Sequence, residues 1–574
     1  MEDADWWRQA IVYQIYPRSF ADLNGDGIGD LQGITSRVPY LRDLGVDAVW
    51  LSPFYPSALK DGGYDVADYR NVDPKIGTLE EFDEMSRALK QAGIRVIVDI
   101  VPNHSSDDHQ WFKDALKAGK GSTERDRYIF RDGLGPDKSQ PPTDWQSIFG
   151  GPSWTPSGTG DGQWYFHWYD SSQPDFNWDN ADVREDFLTT LKFWGDRGVS
   201  GFRIDVAHGL AKDMSEPLLK WTQLKKLTER KLQNGNGSLK HPLLDREEVH
   251  EIYKDWRKLF DTYDPPLMAV AEAWVAPDQK GLYASSDGLG QAFSFDMLLC
   301  NFNIQEYREC IDRSIAEAKR NKSSTTWVLS NHDVIRHATR LGLPDVPNSN
   351  LRVAKNALDP FLADRFKSTK LDIESGLRRA RAAILMILAL PGLTYIYQGE
   401  ELGLQEVVDI EPSQRQDPAF HRTKGEEIGR DGCRVPLPWS SASANFGFGL
   451  ASGKPAHLPQ PLWMADYAVD TQLKDPESTL NLYKDAFKLR KQLLGPEDEF
   501  EWVENRDEQV LHFRRSEGWQ VVVNVGKDEV ALPIGEVLLS SNGKLEEGFR
   551  GKIPGETTVW LKNVQLSEIG SCVD

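Results

Sequence analysis

The chain has 574 residues, 39% of them hydrophobic and 27% charged, the mix of a soluble protein with a sizeable core. Acidic residues outnumber Lys and Arg by 88 to 67, and the formal net charge of −21 excludes the cationic footprint of a nucleic-acid or anionic-membrane binder. Cys300, Cys310, Cys433 and Cys572 stand far apart without a CxxC, which excludes a thiolate zinc site and a disulfide framework.

The chain opens Met-Glu-Asp-Ala-Asp, without the basic start and apolar run of a signal peptide. A reducing, cytoplasmic setting is expected. The first apolar run, Ile11–Tyr16, is followed by Asp22-Leu-Asn24-Gly-Asp26-Gly-Ile28-Gly-Asp30. Oxygen ligands at alternate positions, with glycines for the turn, suit a hard divalent cation. The loop starts like an EF-hand, but Gly33 stands where that motif has its bidentate Glu. A second run, Ala48–Pro53, precedes a helical pattern of Leu79, Phe82, Met85, Leu89 and Ala92, with Thr78 and Glu81 as a capping box and Gly93 as the stop.

After the third run, Arg95–Pro102, residues 105–175 are rich in Gly, Pro, Ser and Trp and read as an irregular excursion forming a cleft wall. Val183, Phe187, Leu191 and Trp194 restore helical spacing up to Gly198. Five more runs follow: Gly201–Val206, Met268–Trp274, Ala292–Asp296, Thr326–Asn331 and Leu393–Gln398. The longest apolar stretch, Ala382 to Tyr397, is too short to span a bilayer and is broken at Pro391–Gly392. Loop residues dominate Gln405–Pro461, and beyond the helical Leu480–Leu494 the period turns to two.

Eight strand-then-helix units predict an α/β fold, a (β/α)8 barrel with an inserted domain after strand three and a C-terminal antiparallel β domain. The expected division is 1–104 and 176–498 for the barrel, 105–175 for the insertion and 499–574 for the β domain. Chemistry then belongs at the C-terminal ends of the strands. There the sequence places Asp99-Ile-Val-Pro-Asn-His104, Gly201-Phe-Arg203-Ile-Asp205-Val206, Val270-Ala-Glu272-Ala-Trp274 and Ser330-Asn-His332-Asp333. A rim of carboxylates without a Ser or Cys nucleophile arrangement points to glycosidic-bond chemistry. One carboxylic acid protonates the leaving oxygen, and a second carboxylate traps the cationic sugar. Arg203, two residues from Asp205 and so on the same strand face, favours its ionised form. Trp274 is expected to supply an apolar neighbour to Glu272. The 24 Phe, 19 Trp and 17 Tyr include rings available to stack on sugars.

In order and over about residues 6 to 525, these motifs resemble glycoside hydrolase family 13, the α-amylase family, in its oligo-1,6-glucosidase-like group. The resemblance implies a retaining exo-α-glucosidase with Asp205 as nucleophile, Glu272 as general acid/base and Asp333 as a holder of sugar hydroxyls. It assigns the terminal glucose to Asp61, Tyr64, His104, Arg203, His332 and Arg434, the last in Arg430-Asp-Gly-Cys-Arg434-Val-Pro-Leu-Pro-Trp439. Gln173-Pro-Asp175-Phe-Asn177 resembles the group's signature at the end of the excursion, and Phe149 and Phe166 lie where the group has aromatic walls. In similar enzymes Val after the nucleophile, here Val206, goes with tolerance of α-1,6 bonds and Thr with α-1,4 preference. The implied substrates are short α-glucosides, α-1,6-linked and also α-1,4-linked. Related glycosidases hold a structural Ca2+ or Mg2+ on Asp22, Asn24, Asp26, Asp30 and the Ile28 carbonyl, and no organic cofactor is implied. The same site in a glucosyltransferase or sucrose isomerase is the alternative, and a non-catalytic binding subunit on this barrel is another. Expected partners are oligosaccharides or disaccharides, not nucleic acid or membrane.

Overall fold

The computed structural model describes residues 3–234, 241–348, 351–495, 497, 499–505, 507–515, 518–543 and 551–563. Cys572 lies outside them. Seven of the eight expected runs hold strands and the sixth strand ends where its run begins, at Ala292: β1 (Ile11–Ile15), β2 (Ala48–Leu51), β3 (Arg95–Ile100), β4 (Gly201–Ile204), β5 (Met268–Ala271), β6 (Gly290–Ala292), β7 (Thr326–Val328) and β8 (Leu393–Tyr397). They pair in parallel in the order β7-β8-β1-β2-β3-β4-β5-β6, a sheet rolled into a nearly closed barrel. Their side chains are buried almost without interruption, as expected of strands covered on both faces.

The sixth strand precedes the expected run Ala292–Asp296 and shares only Ala292 with it. Phe293 and Phe295 read as alternation, but Phe295–Leu299 turns into a helix that packs Phe295 and Leu298 into one apolar cluster. The seam between β6 and β7 is held by a side chain. Thr326 Oγ1 donates to the Ala292 carbonyl at 2.7 Å and accepts from the Ser294 amide at 2.9 Å.

The covering helices carry the expected end signals. Thr78 and Glu81 form a reciprocal capping box on Leu79–Gln91, and Gly93 leaves that helix at φ +78°. Helix Ala181–Asp196 buries Val183, Phe187, Leu191 and Trp194. The apolar stretch at 382–397 divides into the end of helix Ile373–Ala389, buried on nearly every side, and β8. No helix among the described residues is long and apolar enough to cross a membrane.

Residues 105–175 leave the barrel and form a small antiparallel sheet of Phe130–Asp132, Gln163–Phe166 and Trp154–Pro156 around Trp145, Trp154, Phe166 and Trp168. At the other end a five-stranded antiparallel sheet runs in the order Glu501–Trp502, Val510–Arg514, Trp519–Asn524, Thr557–Lys562 and Glu536–Ser540. It grips helix Ile373–Ala389: Trp560 Nε1 donates to the Leu385 carbonyl at 2.9 Å and Thr558 Oγ1 to that of Ala382 at 2.8 Å.

Candidate active site

Strand register sets the centre of the site. Asp99 on β3 is the cross-strand partner of Arg203 on β4, and Ile204 is the partner of Ala271 on β5. Asp205 and Glu272 are therefore the next residues on adjacent strands, at one level on the C-terminal rim. Arg203, itself buried, joins all three acids. Its Nη1 lies 2.9 Å from Asp99 Oδ1 and 2.5 Å from Asp205 Oδ1, and its Nη2 lies 2.8 Å from Glu272 Oε2.

Burial pushes the Asp205 carboxyl well above the ordinary carboxylate range and that of Asp99 up to about 7, with the Arg203 charge opposing in both. Burial thus favours the acid forms of Asp99 and Asp205, while the Arg203 guanidinium favours the ionised ones.

Glu272 is held from three sides. Oε2 accepts from the Val206 amide at 3.1 Å as well as from Arg203, and Oε1 accepts from Trp274 Nε1 at 3.0 Å. Trp274 thus meets the carboxyl with its indole N–H and not, as expected from the sequence, with an apolar face. Val206 is in the left-handed region at φ +46°, a strained conformation for a β-branched residue, and this turn aims its amide at Glu272.

His332 and Asp333, just beyond β7, form the opposite wall. His332 is stacked on Tyr64, with ring centroids 5.2 Å apart and planes 2° from parallel. Gln14 Nε2 lies 2.7 Å from His332 Nδ1, so Nε2 carries the hydrogen; it sits 3.3 Å from Asp333 Oδ2 and has no hydrogen-bond partner among the described residues. Burial opposes the charge of Asp333, but His332, Arg430, Arg434 and Arg203 together hold its carboxyl well below the ordinary range. Burial also keeps His332 below its own ordinary value, so at neutral pH the arginines carry that stabilisation.

The pocket floor joins barrel, excursion and the 405–461 segment. Tyr64 OH donates to Asp99 Oδ2 at 3.0 Å. Asp61 accepts from Gln173 Nε2 at 3.0 Å and Arg430 Nη2 at 2.7 Å. His104 is buried 3.1 Å from the same Gln173 amide nitrogen, and burial lowers its imidazole to about 4. Arg434 Nη2 and Arg430 Nη1 reach Asp333 Oδ1 at 2.9 and 3.0 Å, and Arg430 Nε lies 2.6 Å from Asp417. Burial pushes Asp61 up to about 6 even with Arg430 and Arg434 beside it.

Of the residues singled out in the sequence, Asp61, Tyr64, His104, Arg203, Asp205, Val206, Glu272, His332, Asp333 and Arg434 converge here. Phe149 borders the group, 5.2 Å from the Arg430 guanidinium and 5.4 Å from Tyr169. Phe166 does not join it: the ring is fully buried in the apolar centre of the excursion, against Trp145 and Trp154. Tyr169, three residues on, is the ring that faces His104, at 5.3 Å. Asp99, Tyr169, Gln173, Asp417 and Arg430 belong to the site without having been assigned to it. Asp99, Gln173 and Arg430 stand inside the motifs quoted above, whereas nothing local distinguishes Tyr169 or Asp417.

The Asp22–Asp30 loop lies apart, folded on its own amides. Asp22 accepts from Gly25 N at 2.6 Å and Gly27 N at 2.9 Å, Asn24 from Asp26 N and Asp26 from Ile28 N, both at 2.9 Å. Asp30 Oδ2 accepts from the Leu23 and Asn24 amides, both at 2.9 Å. An oxygen taking one N–H keeps a lone pair, so Asp22, Asn24 and Asp26 fit a hard cation in kind, and Asp30 fits through Oδ1, which accepts from the Gly33 amide alone, since Oδ2 already takes two. Among the described residues no group of three or more His, Cys, Asp or Glu is gathered as a metal would gather them.

The family described as alpha amylase, catalytic domain, matches residues 14–495. The chain is 36% identical over 538 residues to a Rhizobium meliloti protein named probable alpha-glucosidase, covering 90% of this chain and 88% of that one. It is 33% identical over 522 residues to an oligo-1,6-glucosidase of Parageobacillus thermoglucosidasius, covering 85% and 84%. A solved trehalulose synthase mutant superposes with a TM-score of 0.81 at 29% identity, covering 97% of this chain and 99% of that one. The chain belongs to the α-amylase family, glycoside hydrolase family 13, and is a glycoside hydrolase.

Proposed function

We propose that the protein is a retaining, exo-acting α-glucosidase that releases glucose from the non-reducing end of short α-glucosides. The observation that carries this reading is Arg203 bridging two carboxyls on adjacent strand ends, beside the stacked Tyr64 and His332 and the Asp61–Arg430–Asp333 bridges. In the reaction a glucoside enters between Asp205 and Glu272. Asp205, ionised beside Arg203, attacks the anomeric carbon while Glu272 protonates the departing oxygen. Water, deprotonated by Glu272, then cleaves the glucosyl ester. Asp333 and the His332 Nε2–H are placed for sugar hydroxyls, and the arginine bridges close the pocket beyond one glucose unit.

Val206 at the rim favours α-1,6 substrates, with α-1,4 bonds also cleaved. The likeness to a trehalulose synthase supports a second reading on the same intermediate, in which a sugar replaces water as acceptor. The loop at Asp22–Asp30 holds a divalent cation, Ca2+ or Mg2+, on Asp22, Asn24, Asp26, Asp30 and the Ile28 carbonyl; its contribution there is to the structure, since the loop takes no part in the pocket. The buried free thiols of Cys300, Cys310 and Cys433 suit a reducing compartment such as the cytoplasm.

Equimolar isomaltose, maltose, sucrose and trehalose, followed by chromatography of every product, test the assignment. Free glucose released fastest from isomaltose is expected. Isomerised sucrose or larger oligosaccharides as main products favour the acceptor-sugar reading, and four unchanged sugars contradict both.

A further inference from the structure

Glu272 Oε1 accepts the Trp274 indole N–H at 3.0 Å, and the indole is fixed from behind by Phe295, stacked at 4.1 Å with an 11° tilt. Phe295 follows Ser294, whose amide is tied to Thr326 Oγ1 across the barrel seam. A chain of contacts therefore runs from the seam through two rings to one carboxyl oxygen. The other oxygen is taken by Arg203 and the Val206 amide. Phe or Tyr at 274 keeps at most the stack, because neither has a donor at that point of the ring.

We propose that Trp274 is a positioning residue for Glu272, acting through its indole N–H. Resting on the reading of Glu272 as general acid/base, it fixes the rotation of the carboxyl so that Oε1 faces the departing oxygen. A donor to a carboxylate oxygen favours the ionised form over the acid. Losing it therefore moves the alkaline limb of kcat/KM, where the acid loses its proton, to higher pH. The charged and titratable groups facing Glu272 are Arg203, Asp205 and His208 from β4 and its loop, Asp99 from β3 and Tyr169 from the excursion. None of them changes with Trp274.

Trp274→Phe, and replacement of the indole by benzothiophene, which keeps the bicyclic ring and removes only the N–H, are compared with wild type on the fastest-cleaved disaccharide and on α-glucosyl fluoride. Fluoride leaves without a proton, so its release is insensitive to the acid. The expected result for both variants is a fall in disaccharide kcat of about 10- to 100-fold with KM little changed, an alkaline limb about half to one pH unit higher, and first-turnover fluoride release within about threefold of wild type. A limb that stays in place in the benzothiophene protein overturns the proposal. Glu272→Gln separates the two levels: it must remove disaccharide turnover while sparing fluoride release in the first turnover, after which the glucosyl ester accumulates because its hydrolysis needs Glu272 as base. Equal loss on both substrates in the first turnover defeats the acid assignment itself, whereas the expected Glu272→Gln result with an unmoved limb in the Trp274 variants defeats only the role of Trp274.

Discussion

Arg430 shows how individual charges shape the pocket. It spans Asp61, Asp333 and Asp417 with one guanidinium, and all three acids are mostly shielded from water. Arg430→Met removes that cation and should cost about 3 kcal/mol of stability near pH 8, the usual consequence of leaving buried carboxylates unpaired. The sign of the pH dependence follows from Asp61. Its folded pKa of about 6 lies above the unfolded value, so the folded protein binds the extra proton and stability falls as pH rises through that interval. Without Arg430 the folded value rises further and the fall extends to higher pH. Melting curves should therefore show a wider gap between variant and wild type at pH 8 than at pH 5, and a gap independent of pH contradicts this account. At this scale the sequence was legible where spacing alone carries geometry. Arg203 and Asp205 share a face because a strand alternates, and Glu272 lies beside Asp205 because both follow strand ends. Tyr169 and Asp417 were not legible, since only the docking of two long loops brings them to the rim.

Elements position these residues with little regular structure between them. The expected strands, the capping box at Thr78 and the buried face of helix Ala181–Asp196 follow from periodicity. The short β6 does not, because Phe293 and Phe295 fit a strand or the start of a helix equally well, and the Thr326 bridge across the seam decided which. Phe166 illustrates the same limit. An aromatic run gives no sign of which rings face the pocket, and pairing of Phe166 with Trp154 turned it into the core of the excursion. The Asp22–Asp30 loop gives the test at this scale. Its amides are satisfied by its own side chains, so the loop is shaped before an ion arrives, and a bound cation at a hundredfold its Kd adds about 2.7 kcal/mol. Chelation by EDTA should lower Tm, and Ca2+ or Mg2+ added back should restore it. An unchanged Tm after complete chelation contradicts the cation site and leaves the hydrolase untouched.

Across the whole molecule, three chain segments far apart in sequence make one pocket: the strand ends, the close of the excursion and the loop-rich segment before the β domain. The barrel supplies the acids at fixed register, the excursion supplies Gln173 and Tyr169, and Asp417, Arg430 and Arg434 come from the last. The C-terminal sheet stays outside this arrangement and clamps the helix that precedes β8. This division of labour is why the barrel and its acids could be read from the sequence, while of the groups that close the pocket Asp61 and Arg434 were assigned and Arg430 and Asp417 were not. The central claim is that Asp205 forms a glucosyl ester within this pocket. It is tested most directly by trapping the protein with a fluorinated glucosyl fluoride, which slows breakdown of the ester, and mapping the labelled peptide by mass spectrometry. The account predicts one glucosyl adduct per chain, on Asp205, and none in Asp205→Asn. Turnover of ordinary substrate by Asp205→Asn, or a stable adduct on any other residue, would contradict it.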